Sequence, residues 1–187
     1  VKRNLAFIGP QGSGKSTIAN LLCDFNGYTR LSIADPIKEI ANGAYPGLTK
    51  DAEFLVRTYD GGKRVLGREL LQDIGAKLRE VDLDFWLRQF RRRYTEVARA
   101  GRLIVIDDVR LDHEVTYLQH IDPLLSVVRI HAHAVRRGDR IGKVVGADDV
   151  TETGWNLAPF DFSLDTTDLT AEDATQRLIR WMEEDRR

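Results

Sequence analysis

Short apolar runs alternate along the chain with longer stretches in which apolar positions recur at helical spacing. Residues 4–9 (NLAFIG), 29–34 (TRLSIA), 102–107 (RLIVID), 125–132 (LSVVRIHA) and 160–166 (FDFSLDT) have the length and composition of strands. Between them the period changes. A helix is predicted from Lys15 (KSTIANLLCDF), and a second opens with Asp35 as N-cap and Pro36 at its first position. Residues 50–60 and 66–100 read as helical, with Leu70, Leu71, Ile74 and Leu78 on one face. A last helix over about 170–184 turns Ala174, Leu178, Ile179 and Trp181 inward.

Strands that are apolar throughout and separated by helices predict a parallel sheet covered on both faces, an α/β three-layer fold of about five strands. The helical block over about 35–100 is too long for a simple crossover, so it is read as an insertion folded over one end of the sheet. Residues 134–156 are polar, basic at their start and weakly patterned, the composition of a short basic lid. One domain is expected, with its core in 1–34, 101–133 and 157–187.

Composition narrows the partners. The net charge is -1 with 30% charged residues of both signs, so no global field recruits nucleic acid or an anionic membrane. The chain contains one cysteine, Cys23, which rules out an internal disulfide and fits a reducing compartment. No apolar run approaches the ~20 residues that span a bilayer, and the opening at Val1 followed by charge is unlike a secretory leader. A cytoplasmic protein is expected.

The strongest chemical signal is Gly9 to Ser16, GPQGSGKS, a complete G-x-x-x-x-G-K-[ST] pattern with a strand before it and a helix after it. Glycines allow the backbone to turn tightly and to bring its N–H groups against phosphate oxygens, and the following helix adds its positive dipole end. Gly9, Gln11, Gly12, Ser13, Gly14, Lys15, Ser16 and Thr17 are therefore the expected ATP-binding residues, with Lys15 reaching the β- and γ-phosphates and the Ser16 hydroxyl holding Mg2+.

A phosphate loop does not by itself separate kinases, switches and motors. A guanine-recognition Asn-Lys-x-Asp motif is missing from the chain, which argues against a GTPase switch. Arginine is abundant instead: Arg68 and Arg79 in the insertion, Arg110 just past the third strand, and Arg136, Arg137 and Arg140 in the lid. Transfer between two phosphates crowds negative charge, which guanidinium forks hold well. Solvated helix faces account for many surface arginines, and the run Arg91 to Arg93 is read that way.

Beyond the phosphate loop, four stretches carry a resemblance: SIADPIKEIA (32–41), GRELLQDIGAKLREVDLDFW (67–86), DVRLDHE (108–114) and FDFSLDTTDLTAEDATQRL (160–178). Their order resembles the phage-type deoxynucleoside monophosphate kinases within the P-loop nucleoside monophosphate kinase group. That resemblance implies a P-loop kinase fold with an acceptor-binding insertion and ATP-dependent phosphorylation of a deoxynucleoside monophosphate. ATP would be the phosphoryl donor, Mg2+ the metal, and small nucleotides the only partners. For a phage-encoded enzyme the compartment would be the host cytoplasm. The oligomeric state stays open, a homodimer included.

Carried over by position, the resemblance implies Asp35, Arg68, Gln72, Arg79, Trp86, Arg110, Glu114 and Glu152 as acceptor-binding residues. The expected catalytic residues are Lys15 of the phosphate loop, Arg68, Asp108 and Arg110 from the resemblance, and Arg137 of the basic lid, with Arg136 and Arg140 of the lid as further ATP ligands and Ser16 with Asp108 at the metal. Ala76 stands where the family often has threonine, and in the lid Glu152 is the nearest equivalent of a family glutamate. Two alternatives remain at this point: a P-loop kinase of another phosphorylated metabolite, and a non-catalytic nucleotide-binding module.

The acidic pair Asp107–Asp108 poses a sharper question. The end of an apolar strand points to Asp107 as the metal-side carboxylate, whereas the Asp-Val-Arg pattern points to Asp108. In an extended chain Asp108 and Arg110 share a face while Asp107 turns away. Asp108 is the expected functional carboxylate, and Glu114 is expected to orient the Arg110 guanidinium.

Overall fold

The computed structural model describes residues 2–142 and 157–185 and divides into two compact units, Val1–Ser32 with Arg93–Arg187, and Ile33–Arg92. The first unit contains a five-stranded parallel sheet in the order β2-β5-β1-β6-β7. Its strands are β1 (Leu5–Ile8), β2 (Tyr28–Leu31), β5 (Leu103–Ile106), β6 (Ser126–His131) and β7 (Phe162–Asp165). The α/β architecture with a five-stranded parallel sheet is as expected. Leu5 lies opposite Val105 on one side and Ser126 on the other, and Val128 opposite Phe162.

All four residues of β1 are fully buried, as are Ile104, Val105 and Ile106 of β5. Continuous burial of successive residues, whose side chains point to opposite faces, requires cover on both sides. On one face Leu5, Phe7, Val105, Val128 and Leu164 pack with Ile18, Ala19 and Leu22 of α1 (Lys15–Asn26) and with Ala174, Leu178 and Met182 of α7 (Ala171–Glu184). α7 is capped by Thr170, whose hydroxyl accepts the Asp173 N–H. Helix α5 (Asp112–Ile121) buries Val115 and Leu118 completely.

Polar residues secure the sheet at its amino end. The Asn4 amide donates to the Tyr94 hydroxyl at 2.9 Å and to the Asp122 carboxylate at 2.8 Å, while its oxygen accepts the Ile104 N–H at 2.8 Å. Arg3 pairs with Asp185 at 3.0 Å and lies over the Trp181 ring, which in turn stacks on Phe162.

The second unit departs from the expected all-helical insertion. Helices α2 (Asp35–Ala44) and α3 (Gly67–Val81) are separated by an antiparallel hairpin, β3 (Glu53–Thr58) and β4 (Gly61–Leu66). Residues 50–60 were expected to be helical and are not. Phe54 and Val56 alternate with exposed neighbours at a period of two, and Tyr59–Asp60 makes the two-residue turn, followed by Gly61 with φ 126°. The stretch 66–100 is two helices, α3 and α4 (Phe85–Arg99), with a break where the Leu78 carbonyl accepts the Asp82 N–H. Asp35 is not the N-cap of α2: that position is Ala34, and Asp35 lies in the first turn with its carboxylate 2.9 Å from the Lys38 ammonium. A carboxylate there complements the helix dipole as a cap would.

Candidate active site

Strand β1 ends at Ile8, and the chain turns at once into the phosphate loop. Gly9 has φ 133°, and a Cβ there would lie 1.9 Å from the Ile130 carbonyl oxygen, so neither the backbone angle nor the neighbouring strand admits a side chain. Gly12 and Gly14 also have positive φ, and α1 begins at Lys15 directly after Gly14. No acidic residue occupies the first turn of α1, leaving the positive end of the helix uncompensated. The Lys15 ammonium donates to the carbonyls of Gly9 at 2.6 Å and Pro10 at 2.8 Å, while Ser16 and Thr17 are exposed.

The start of the expected basic lid is a helix, α6 (Ala134–Ile141), with Gly142 as its C-cap. It packs directly on the phosphate loop: a Cβ at Gly12 would meet the Arg137 carbonyl at 3.0 Å. Arg137 donates to the Gln11 carbonyl at 3.1 Å and Arg140 to the Gly12 carbonyl at 3.3 Å. Arg136 pairs loosely with Asp168 at 3.6 Å on the exposed side. The remainder of the lid, including Glu152, lies outside the described residues.

Beside the loop, a cavity of about 600 Å³ is lined by Arg136, Asp139, Arg140, Thr167, Asp168, Leu169 and Thr170. A smaller one of about 160 Å³, bounded by Gly14, Thr17, Arg140, Thr166 and Ala171 among others, lies against α1. The larger is a wide depression open to solvent.

The two aspartates at the end of β5 point to different partners. Asp107 is 2% exposed and is gripped by both arms of Arg30, Nε at 2.9 Å and Nη2 at 2.8 Å. Asp108 is half-buried and accepts the hydroxyl proton of the buried Ser32 at 2.6 Å. Arg110 is exposed. Glu114 is buried, and one of its carboxylate oxygens accepts the backbone N–H groups of Arg110 at 2.7 Å and Leu111 at 3.0 Å. Glu114 was expected to orient the guanidinium. Its carboxylate fixes the backbone that carries Arg110, while also capping α5. β5 neighbours β1, so Asp108 and Arg110 leave the same carboxyl edge of the sheet as the phosphate loop, where α/β sheets bind ligands.

The other expected site residues lie in the second unit. Arg68 is exposed, 3.6 Å from Asp51, and Gln72 is exposed on α3. Arg79 is half-buried, its guanidinium close to where a Cβ on Gly75 would lie. Trp86, expected at the acceptor base or sugar, is 2% exposed and donates its indole N–H to the Gly75 carbonyl at 3.0 Å, with Phe85 edge-on to its ring. That burial gives it a packing role within the unit and leaves no ring face for a nucleoside.

Phosphate and magnesium fit the groups present. Three buried side-chain polar atoms lack a hydrogen-bond partner among the described residues, and two of them, Ser13 Oγ and Arg137 Nε, belong to the phosphate loop and the helix laid on it. Ser16 and Asp108 supply the hard oxygen donors that Mg2+ prefers, and Mg2+ is commonly held by one or two protein oxygens together with substrate phosphates. No cluster of three or more His, Cys, Asp or Glu among the described residues could hold a metal by itself.

No protein-family model matches the chain. Its sequence is similar to adenylate kinases. The one from Synechococcus sp. (strain CC9902) is 28% identical over 131 residues, 70% of this chain and 68% of the relative. That from Prochlorococcus marinus (strain NATL2A) is 31% identical over 105 residues, 56% of this chain and 55% of the relative. Among solved structures, a sugar kinase from Janibacter sp. HTCC2649 superposes with a TM-score of 0.56 at 18% identity, covering 98% of this chain and 95% of that one. Shikimate kinase from Acinetobacter baumannii, in complex with shikimate, gives 0.53 at 11% identity over 100% and 96%.

The fold is that of the P-loop kinases. At these identities the structural likeness shows the architecture alone. Among the described residues, no helix is long and apolar enough to cross a membrane.

Proposed function

We propose that the protein transfers the γ-phosphoryl group of ATP to the α-phosphate of a deoxynucleoside monophosphate, giving the diphosphate and ADP. The observation that carries this reading is the convergence on one sheet edge of a phosphate loop overlaid by arginines from α6 and the Asp108-Val109-Arg110 stretch from the adjacent strand. The four family-like stretches supply the acceptor class. Adenylate kinase relatives support phosphoryl transfer between nucleotides more generally.

In this mechanism the loop N–H groups and the amino end of α1 hold the β- and γ-phosphates. Lys15 exchanges its two loop carbonyls for phosphate oxygens. Arg137 and Arg140 stabilise the charge that develops on the transferring group, and Arg110 holds the acceptor phosphate. Arg68, Gln72 and Arg79 are assigned to the acceptor, with Asp35 as a further hydrogen-bonding candidate. The acceptor oxygen is ionised near neutral pH, so positioning and charge stabilisation supply most of the catalysis and no strong general base is needed. Mg2+, when bound through Ser16 and Asp108, neutralises phosphate charge.

An ADP-release assay with ATP, Mg2+ and a panel of each deoxy and ribo monophosphate tests the reading. Product with one or more deoxynucleotides in preference to their ribose partners is the expected result. Transfer to AMP alone would favour an adenylate kinase, the activity its relatives are named for. ATP binding without any transfer would leave a nucleotide-binding module.

A further inference from the structure

Thr166, the first residue after β7, is 3% exposed, yet three polar segments converge on it. Its hydroxyl lies 2.9 Å from the Ser13 carbonyl of the phosphate loop, 3.2 Å from the His131 carbonyl at the end of β6, and 3.2 Å from Arg140 Nη1. A threonine hydroxyl has one proton to donate and can accept others. The His131 carbonyl already takes the Thr166 backbone N–H at 2.9 Å, so the hydroxyl proton goes to Ser13, the nearer of the two carbonyls. The oxygen lone pair then faces Arg140 Nη1. Arg140 Nη2 donates at 2.6 Å to the Thr166 carbonyl, completing a two-point grip on the guanidinium.

We propose that Thr166 is a positioning residue for ATP binding, clasping Arg140 to the rim of the phosphate loop. The arginine sits on α6, which also meets the loop through Arg137, whose guanidinium donates to the Gln11 carbonyl at 3.1 Å. Arg140 reaches Gly12 only at 3.3 Å, and without the Thr166 grip its exposed side chain would sample many rotamers. The clasp therefore fixes a cation beside both cavities before nucleotide arrives. It also couples the loop carbonyl at Ser13 to the position of the lid helix through one hydroxyl. The proposal rests on reading the loop as an ATP site, though not on the identity of the acceptor.

Calorimetric titration of the full chain with ATP and Mg2+, without acceptor, tests it, alongside thermal melting of the nucleotide-free protein. Thr166→Val keeps the shape and removes the hydroxyl. It should weaken ATP binding about tenfold, the order set by losing one buried hydrogen bond to a charged group. Thr166→Ser should bind within about twofold of the parent chain. Arg140→Met should weaken binding similarly, and the double variant Thr166→Val with Arg140→Met should be no weaker than the worse single variant, because both changes break one clasp.

Parent-like affinity in Thr166→Val, a serine variant as weak as the valine one, or a double variant whose loss is the product of the two single losses would each overturn the proposal. If the valine variant does not fold, Thr166→Ser and Arg140→Met decide: a weakened serine variant or an unaffected methionine variant refutes the clasp. A parent chain that binds ATP but phosphorylates nothing refutes the kinase reading and leaves this test intact. A parent chain that does not bind ATP removes both.

Discussion

Replacing each of the two adjacent aspartates by asparagine should separate stability from chemistry. In Asp107→Asn the Arg30 fork loses its matched partner. One amide oxygen can still accept from Nε, while the new NH2 meets Nη2 donor to donor. Breaking a buried ion pair costs about 3–5 kcal/mol. The Arg30 side chain is 39% exposed and regains water, so the expected loss is lower, about 2–3 kcal/mol. For a chain of this length that lowers the melting midpoint by about 5–10 °C.

Asp108→Asn behaves in the opposite way. An amide oxygen still accepts the Ser32 proton, so stability should change by under about 1 kcal/mol. The lost negative charge at the metal and phosphate edge should reduce turnover by about 10²–10³-fold. Differential scanning calorimetry and an ADP-release assay at a temperature where both variants are folded read the two effects. A destabilised Asp108 variant with parent-like turnover, or an Asp107 variant whose turnover falls further than its folded fraction, would refute the assignment.

Three other outcomes are expected. Lys15→Met removes two hydrogen bonds within the loop and the charge proposed for the β- and γ-phosphates, so turnover should fall by about 10²-fold or more, measured by ADP release at saturating ATP. Trp86→Phe deletes the indole donor to Gly75 and some buried volume, which should cost about 1–2 kcal/mol, read by denaturant melting, with ATP affinity retained. Asp165 has its carboxylate held below the usual range chiefly by the Thr167 hydroxyl and then by its N–H. A depressed folded-state value means that its contribution is present above the ordinary aspartate pKa of about 4 and is lost as pH falls below that. Melting midpoints in an acid series should therefore fall less steeply for Asp165→Asn than for the parent chain, and identical slopes would remove Asp165 from the acid limb.

The sheet was legible because its strands are continuous apolar runs. LAFI and LIVI read as buried strands wherever they occur, and parallel order follows from the helices between them. The phosphate loop was legible because fixed glycine spacing is a backbone requirement written in sequence. The β3–β4 hairpin was missed because its alternation is diluted by Glu53, Arg57, Lys63 and Arg64, and two exposed strands give a weak period. Asp60-Gly61-Gly62, a breaker in any helix, was the signal against the helical reading.

Ser32, Arg30 and Thr166 escaped notice for a different reason. Each is one polar residue whose partner lies far along the chain: Ser32 is 76 positions from Asp108, Arg30 is 77 from Asp107, and Thr166 is 153 from Ser13. Only the strand order brings them together. Trp86 shows the converse, since a tryptophan in a family-like stretch carries no mark of whether it faces ligand or interior.

The hairpin leaves and rejoins its unit through a narrow stem. Gly67 N–H donates to the Ala52 carbonyl at 2.8 Å and Arg68 N–H to the Lys50 carbonyl at 3.0 Å, and a Cβ at Gly67 would lie 2.0 Å from the Thr49 carbonyl oxygen. Because its two ends are already joined, residues 53–66 close on themselves, held to the unit by the Phe54 ring edge-on to Tyr45 and by the buried Val65. A short turn spliced between Ala52 and Gly67 would span the gap with little added loop-closure entropy. Exchanging the hairpin for strands of other lengths or charge that keep Phe54 and Val65 offers a route to vary this part of the molecule while α2 and α3 keep their own packing.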